Sequence, residues 1–68
     1  MKDLASRFGS RLRNVRKQKG LSQDDLALLA DIDRSYVGRI ERGEVNITLD
    51  KVYRLSVALD CHVTELLP

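Results

Sequence analysis

The sequence predicts an all-α fold, and three observations carry that prediction. Apolar residues recur at helical spacing along nearly all of the 68 residues. Strand-like alternation never persists beyond three or four positions. The one proline is the last residue, Pro68, and turn-forming residues punctuate the apolar stretches at short intervals. A chain of this length has room for a single domain, residues 1–68, which buries only about 60% of the surface of its unfolded chain.

The first helix is expected from about Asp3 to Gln18, with Leu4, Phe8, Leu12 and Val15 on one face. Gly20 supplies a left-handed cap after it. Ser22 is the N-cap of a second helix, about Gln23 to Ala30, and Asp24 and Asp25 suit its positive first turn. That helix buries Leu26, Ala27 and either Ala30 or Leu29. Asp31-Ile32-Asp33 is a tight turn, with Asp33 as N-cap of a third helix, about Arg34 to Arg42, which stops at Gly43. Glu44 to Ile47 form a surface loop. Thr48 caps a fourth helix, about Leu49 to Leu59, with Leu49, Val52, Leu55, Ser56 and Leu59 inward. After a turn at Asp60 to Val63, Thr64 can cap a short fifth helix, Glu65 to Leu67. Five short helices with brief connections make an all-α bundle.

Composition narrows the function. Charged residues make up 32% and hydrophobic ones 43%, a globular rather than a disordered balance. The net charge of +2 hides an asymmetry: residues 1–20 carry seven basic side chains and one acidic, residues 21–68 five and nine. A basic end points either to nucleic acid or to a solvated helix face. The longest apolar run, Leu26 to Ala30, is far short of the roughly 20 residues of a membrane span. Met1 to Phe8 has no hydrophobic signal core, so no export signal is expected. One cysteine suits a reducing cytoplasm, and adjacent Cys61 and His62 cannot build a metal site alone. No metal, cofactor, small-molecule ligand or catalytic activity is expected.

Helix 2, a three-residue turn and helix 3 have the spacing of a DNA-binding helix-turn-helix. Residues 12–23, L-R-N-V-R-K-Q-K-G-L-S-Q, resemble the opening of the Cro/lambda-repressor (Xre-like) family. Residues 35–43, S-Y-V-G-R-I-E-R-G, resemble its recognition helix, and residues 49–67 its closing helices. The resemblance implies a compact five-helix lambda-repressor-like domain that binds double-stranded DNA as a transcriptional regulator. Small members include phage repressors, restriction–modification controller proteins and antitoxins. The loop R-G-E-V-N-I-T-L is similar to that of the controller group.

The residues of helix 3 point the same way. Val37 and Ile40 face the core, which leaves Arg34, Ser35, Gly38, Arg39 and Arg42 on the outward side. That side of the helix carries three arginines and no acid. Arginine can donate two hydrogen bonds to guanine O6 and N7 in the major groove. By resemblance, Arg34, Ser35 and Arg39 match base-reading positions, while Arg42, at the helix end, would meet phosphate. The resemblance also gives Gln23 a phosphate contact, which suits the free N–H groups of a helix start. Tyr36 packs beside Ile40 with its hydroxyl within reach of a phosphate, and Asn46 is a backbone contact by resemblance. Thr48 is first a cap. Gly38 has two open explanations, close approach to DNA or tolerance at an exposed site. Asp31 stands where the family usually has glycine, and aspartate tolerates the left-handed conformation.

Two charges fall within apolar stripes. Arg16 follows Leu12 by four residues, and Glu41 follows Val37 by four. Charged groups are rarely buried unless paired, so Arg16 and Glu41 are expected to pair and tie helix 1 to the back of helix 3. Val63, Leu66 and Leu67 are the expected homodimer interface, with Leu66 alternatively in the core. A twofold dimer would place recognition helices about 34 Å apart on a palindromic operator. The alternative is a helical interaction module, adaptor or antitoxin-like, whose basic face meets an acidic protein.

Overall fold

A computed structural model describes residues 3–68. Lys2, counted above with the basic third, lies outside them. Among the described residues there are four α-helices: α1 (Leu4–Gln18), α2 (Gln23–Ala30), α3 (Arg34–Glu41) and α4 (Leu49–Leu59). The expected fifth helix is instead a single 3-10 turn, Val63–Glu65, which begins one residue before the proposed Thr64 cap. The His62 backbone N–H donates to the Glu65 carboxylate at 3.1 Å, and three residues are too few for an α-helical ladder.

Local chemistry sets the helix ends. Gly20 adopts φ 73° after α1, and Leu21 N–H donates back to the Arg16 carbonyl at 3.1 Å, so the chain reverses within two residues. Ser22 Oγ accepts from Asp25 N–H at 3.0 Å, while the Asp25 carboxylate accepts from Ser22 N–H at 2.9 Å. This reciprocal box opens α2. The bonds from Ser22 hold the Asp25 carboxyl below its ordinary pKa. Its contribution is therefore present above the ordinary carboxylate range and lost as pH falls through the lowered value. Asp31 closes α2 with φ 56°, and Asp60 closes α4 with φ 53°. Asp33 occupies the N-cap position of α3 but makes no side-chain cap bond; its carboxylate takes the Ser35 hydroxyl instead. Thr48 Oγ1 accepts from Lys51 N–H at 3.3 Å at the start of α4.

The core is assembled from every element. Phe8, Leu12 and Val15 of α1 meet Leu26, Ala27 and Ala30 of α2, Val37 and Ile40 of α3, and Val52, Leu55 and Leu59 of α4. Two inward assignments, Leu4 and Leu49, need correction, and the alternative left open in α2 is resolved. Leu4 is half exposed at the outer end of α1, Leu29 is exposed with Leu28 on the outside of α2, and Leu49 is exposed at the start of α4. In each case a neighbouring position on the helix fills the core, and Ala30 rather than Leu29 does so in α2. Leu66 is fully buried (0% exposed), so it closes the base of the core and is removed from any interface; Val63 is half-buried and Leu67 exposed.

Two glycines decide how α1 meets α3. Gly9 lies inside α1, and a methyl group there would run into the carbonyl oxygens of Ile40 and Glu41, the latter at 2.7 Å. Gly43, at φ 74°, ends α3 against α1, and a Cβ there would lie 2.7 Å from the Cα of Ser6. The backbones touch, so neither position has room for a side chain. Gly9→Ala should therefore destabilise the protein even though alanine is the better helix former by about 1 kcal/mol. Overpacking of this kind costs about 1–3 kcal/mol. Thermal melts should show a Tm lowered by several degrees, whereas a Tm at or above wild type would mean that α1 can shift off α3.

Candidate nucleic-acid interface

The helix-turn-helix is held from behind by charge. Arg16 Nε donates to Glu41 Oε2 at 2.7 Å and Arg16 Nη2 to Glu41 Oε1 at 3.1 Å. The two side chains are only 10% and 3% exposed. Two further bonds complete the arrangement: Arg16 Nη1 donates to the Leu21 carbonyl at 2.8 Å, and Gln23 Nε2 donates to Glu41 Oε1 at 3.0 Å. One carboxylate on α3 thereby fixes α1, the turn after it and the first residue of α2. Among the described residues no buried side-chain nitrogen or oxygen lacks a partner. Gln23, expected at a phosphate, has its amide nitrogen committed to this network.

With its back fixed, α3 presents Arg34, Ser35 and Arg39 to solvent, followed by Arg42 at its C-cap. The face free of acids along the helix is not free of them in space. Arg34 Nε lies 2.9 Å from Asp24 Oδ1 of α2, a pair between two exposed side chains. Arg42 Nε lies 2.7 Å from Glu44 Oε2, and Arg39 Nε lies 4.0 Å from Glu44 Oε1. The Arg42 bond lowers the Glu44 carboxyl and raises the Arg42 guanidinium from their ordinary values. Exposed pairs like these add little to stability and can exchange for other partners.

Gly38 is buried rather than outward. Arg42, one turn later, folds back across it and Gln23 flanks it. A methyl at Gly38 would lie 3.1 Å from Arg42 Nη1 and 3.6 Å from Gln23 Oε1. The glycine thus makes room for two side chains of the protein itself.

A groove runs beside α3, lined by Asp31, Asp33, Ser35, Tyr36, Arg39, Lys51 and Arg54 among others. Lys51 Nζ stands 5.5 Å from the centre of the Tyr36 ring, a cation–π contact. Arg54 Nη1 donates to the Asp31 carbonyl at 3.4 Å, and Nη2 to Asp50 Oδ2 at 3.5 Å. Lys51 and Arg54 add two cations beside Arg39 that sequence reasoning missed. Their three-residue spacing on the outer side of α4 was the available signal. Asn46 is exposed but lies elsewhere, on an apolar groove formed with Leu4, Phe8, Ile47, Leu49 and Leu67. Arg11, Arg13 and Lys17 are exposed on α1. Among the described residues, no cluster of three or more His, Cys, Asp or Glu could hold a metal ion. No helix among them is long and apolar enough to cross a membrane.

A protein-family model described as helix-turn-helix matches residues 12–66. The control protein C.MunI of a Mycoplasma species is 39% identical over 67 residues, which span 97% of this chain and 90% of that protein. The control protein C.BamHI of Bacillus amyloliquefaciens is 39% identical over 61 residues, spanning 88% and 75%. The crystal structure of the restriction-modification controller protein C.AhdI from Aeromonas hydrophila superposes with a TM-score of 0.90 at 49% identity, covering 93% of this chain and 96% of that one.

The buried network makes a direct prediction. Glu41→Ala leaves the Arg16 guanidinium buried and unpaired, which costs about 3–5 kcal/mol. A domain of this size has a total stability of the same order. Urea denaturation should find Glu41→Ala largely unfolded at 37 °C, with Glu41→Gln intermediate because it keeps both the size and an acceptor. A loss within about 0.5 kcal/mol, the scatter of ordinary surface changes, would show that the pair does not hold the helices.

Proposed function

The chain belongs to the helix-turn-helix family whose model spans residues 12–66, and we propose that it works as a controller-type regulator reading a palindromic operator as a homodimer. It is a sequence-specific DNA-binding transcriptional regulator. In this reading α3 with its C-cap, residues 34–42, enters the major groove. Arg34, Ser35 and Arg39 face base edges, and Arg42 and Tyr36 face phosphates. Lys51 and Arg54 extend the phosphate-binding surface along the groove beside α3. Gln23 then acts on DNA through its position at the α2 start, and Asn46 approaches a phosphate only from the far side of the loop.

The observation that carries the reading is the display of α3. Three arginines project from one short helix whose back is locked by a buried ion pair. A rigid helix surface is what base discrimination requires, because each bidentate arginine–guanine pair depends on fixed geometry.

The dimer follows from a second surface. Leu49, Tyr53 and Val57 recur at i, i+4 and i+8 on the outside of α4, and Val57 is 78% exposed. This apolar strip lies roughly 130° around the helix axis from Lys51 and Arg54. Leu67 lies on the same apolar groove as Leu49, which brings one member of the expected C-terminal interface to this face. A second copy packed there would leave both cationic flanks open to DNA.

Selection of bound duplexes from a random pool, read by sequencing, tests the function: an enriched twofold motif is the expected result, and no shift at low salt would overturn the reading. Arg39→Ala should relax the motif at one position per half-site. Arg42→Ala should leave the selected motif unchanged while weakening binding to it and lowering the salt slope on it by about one. Val57→Asp should give a monomer in sedimentation equilibrium with wild-type helical content and weaker operator binding. An intact dimer would place the interface elsewhere.

A further inference from the structure

Among the described residues, Glu44 is the one carboxylate that the ion pairs place against two arginines of the α3 surface, Arg39 and Arg42. Its place is set by the backbone, not by chance rotation of an exposed loop. Gly43 N–H donates to the Ile40 carbonyl at 3.0 Å and Glu44 N–H to the Arg39 carbonyl at 2.9 Å, the paired bonds of a helix C-cap. Gly43 holds φ 74° and is pressed against Ser6 of α1. The turn is therefore fixed on both sides, and the Glu44 carboxylate is delivered beside the end of α3. There it takes Arg42 Nε at 2.7 Å and Arg42 Nη2 at 3.5 Å, and it lies 4.0 Å from Arg39 Nε.

Such a pair is not needed to fold the chain, since Arg39, Arg42 and Glu44 are all about half exposed. On a surface that meets DNA, a carboxylate also repels phosphate. A group with little structural value and an electrostatic cost to binding has its effect in discrimination. We propose that Glu44 is a specificity-determining residue, a built-in carboxylate competitor that occupies Arg42 and Arg39 until correctly placed DNA acceptors displace it. This inference rests on the DNA-binding reading above. Phosphates of an arbitrary duplex offer one acceptor at a time in a salt-exchangeable contact. A matched site offers a base edge to Arg39 and a phosphate to Arg42 in register, and only that combination replaces both contacts of Glu44. Glu44 thus weakens non-specific binding more than specific binding and widens the ratio between them.

The test compares wild type, Glu44→Gln and Asp60→Asn by fluorescence anisotropy on a random-sequence duplex and on the duplex selected from the random pool, between 50 and 200 mM salt. Asp60 sits at the far end of α4 and controls for loss of one negative charge. The expected result is that Glu44→Gln binds the random duplex several-fold tighter at 50 mM salt. Its salt slope should steepen by about one to two, each unit adding about fourfold to the affinity lost across that range. Affinity for the selected duplex should rise less, so the specificity ratio falls. The proposal is overturned if Glu44→Gln keeps the wild-type slope and ratio, or if Asp60→Asn changes them equally. If wild type binds neither duplex at low salt, the DNA-binding reading fails first and this inference with it.

Discussion

The Arg16–Glu41 pair is the constraint on which the recognition surface depends. Helix α3 is eight residues long, too short to be stable by itself. Only two apolar side chains of it, Val37 and Ile40, are buried, so apolar contacts alone anchor it weakly. Val37 and Ile40 supply the apolar contacts, and Glu41 supplies direction, since a forked guanidinium–carboxylate pair fixes rotation as well as distance. Arg16 uses its third nitrogen, Nη1, on the Leu21 carbonyl, and Glu41 accepts from Gln23. The pair therefore also sets where α2 begins. Because burying charge is costly, the arrangement is tolerable only when each nitrogen of Arg16 and each oxygen of Glu41 has a partner, as here.

That anchor works because two backbones are allowed to touch. Gly9 and Gly43 bring α1 against the end of α3, where any side chain would hold them apart. Close contact shortens the reach from Arg16 to Glu41 and settles the course of the loop that follows. Two of the left-handed aspartates, Asp31 and Asp60, close α2 and α4 at positions where glycine is the easier choice. Short aspartate side chains accept this conformation with modest strain, and they keep the connections brief enough to hold four helices around one small core.

Much of this was legible in the chain itself. Helix limits followed from Gly20, Ser22, Asp31 and Thr48, whose effects are local. The positions of Arg16 and Glu41 within apolar stripes were visible because a charge at a core position stands out against its neighbours. What failed was information that spacing does not contain. In α4, Val52, Leu55 and Leu59 share a face, but Leu49, Tyr53 and Val57 also recur with helical period; periodicity finds both stripes and packing alone selects the buried one. Leu66 has spacing suited to core or surface, and the course of the preceding 3-10 turn decides for core. Gly9 carried a signal that was passed over, since a glycine inside a helix is costly unless something packs against it. Asp24 and Glu44 belong to other elements than α3, so their approach to its arginines depends on turn geometry that no local pattern encodes.

The charge asymmetry of the chain takes its meaning from these contacts. The basic first third includes Arg16, which faces inward and is neutralised within the fold, whereas the arginines of α3 lie in the half rich in acids. Their neighbours Asp24 and Glu44 show that an arginine-bearing surface need not be a surplus of positive charge. Long-range attraction to DNA depends on net charge around the site, and here the acids reduce it. In the proposed reading, recognition depends instead on whether a partner offers acceptors that match several guanidinium groups at once. In the same reading, a protein with only a small positive charge discriminates among sequences while holding weakly to the rest of the duplex, because the arginines that would attract it to any DNA are already partly paired within the protein.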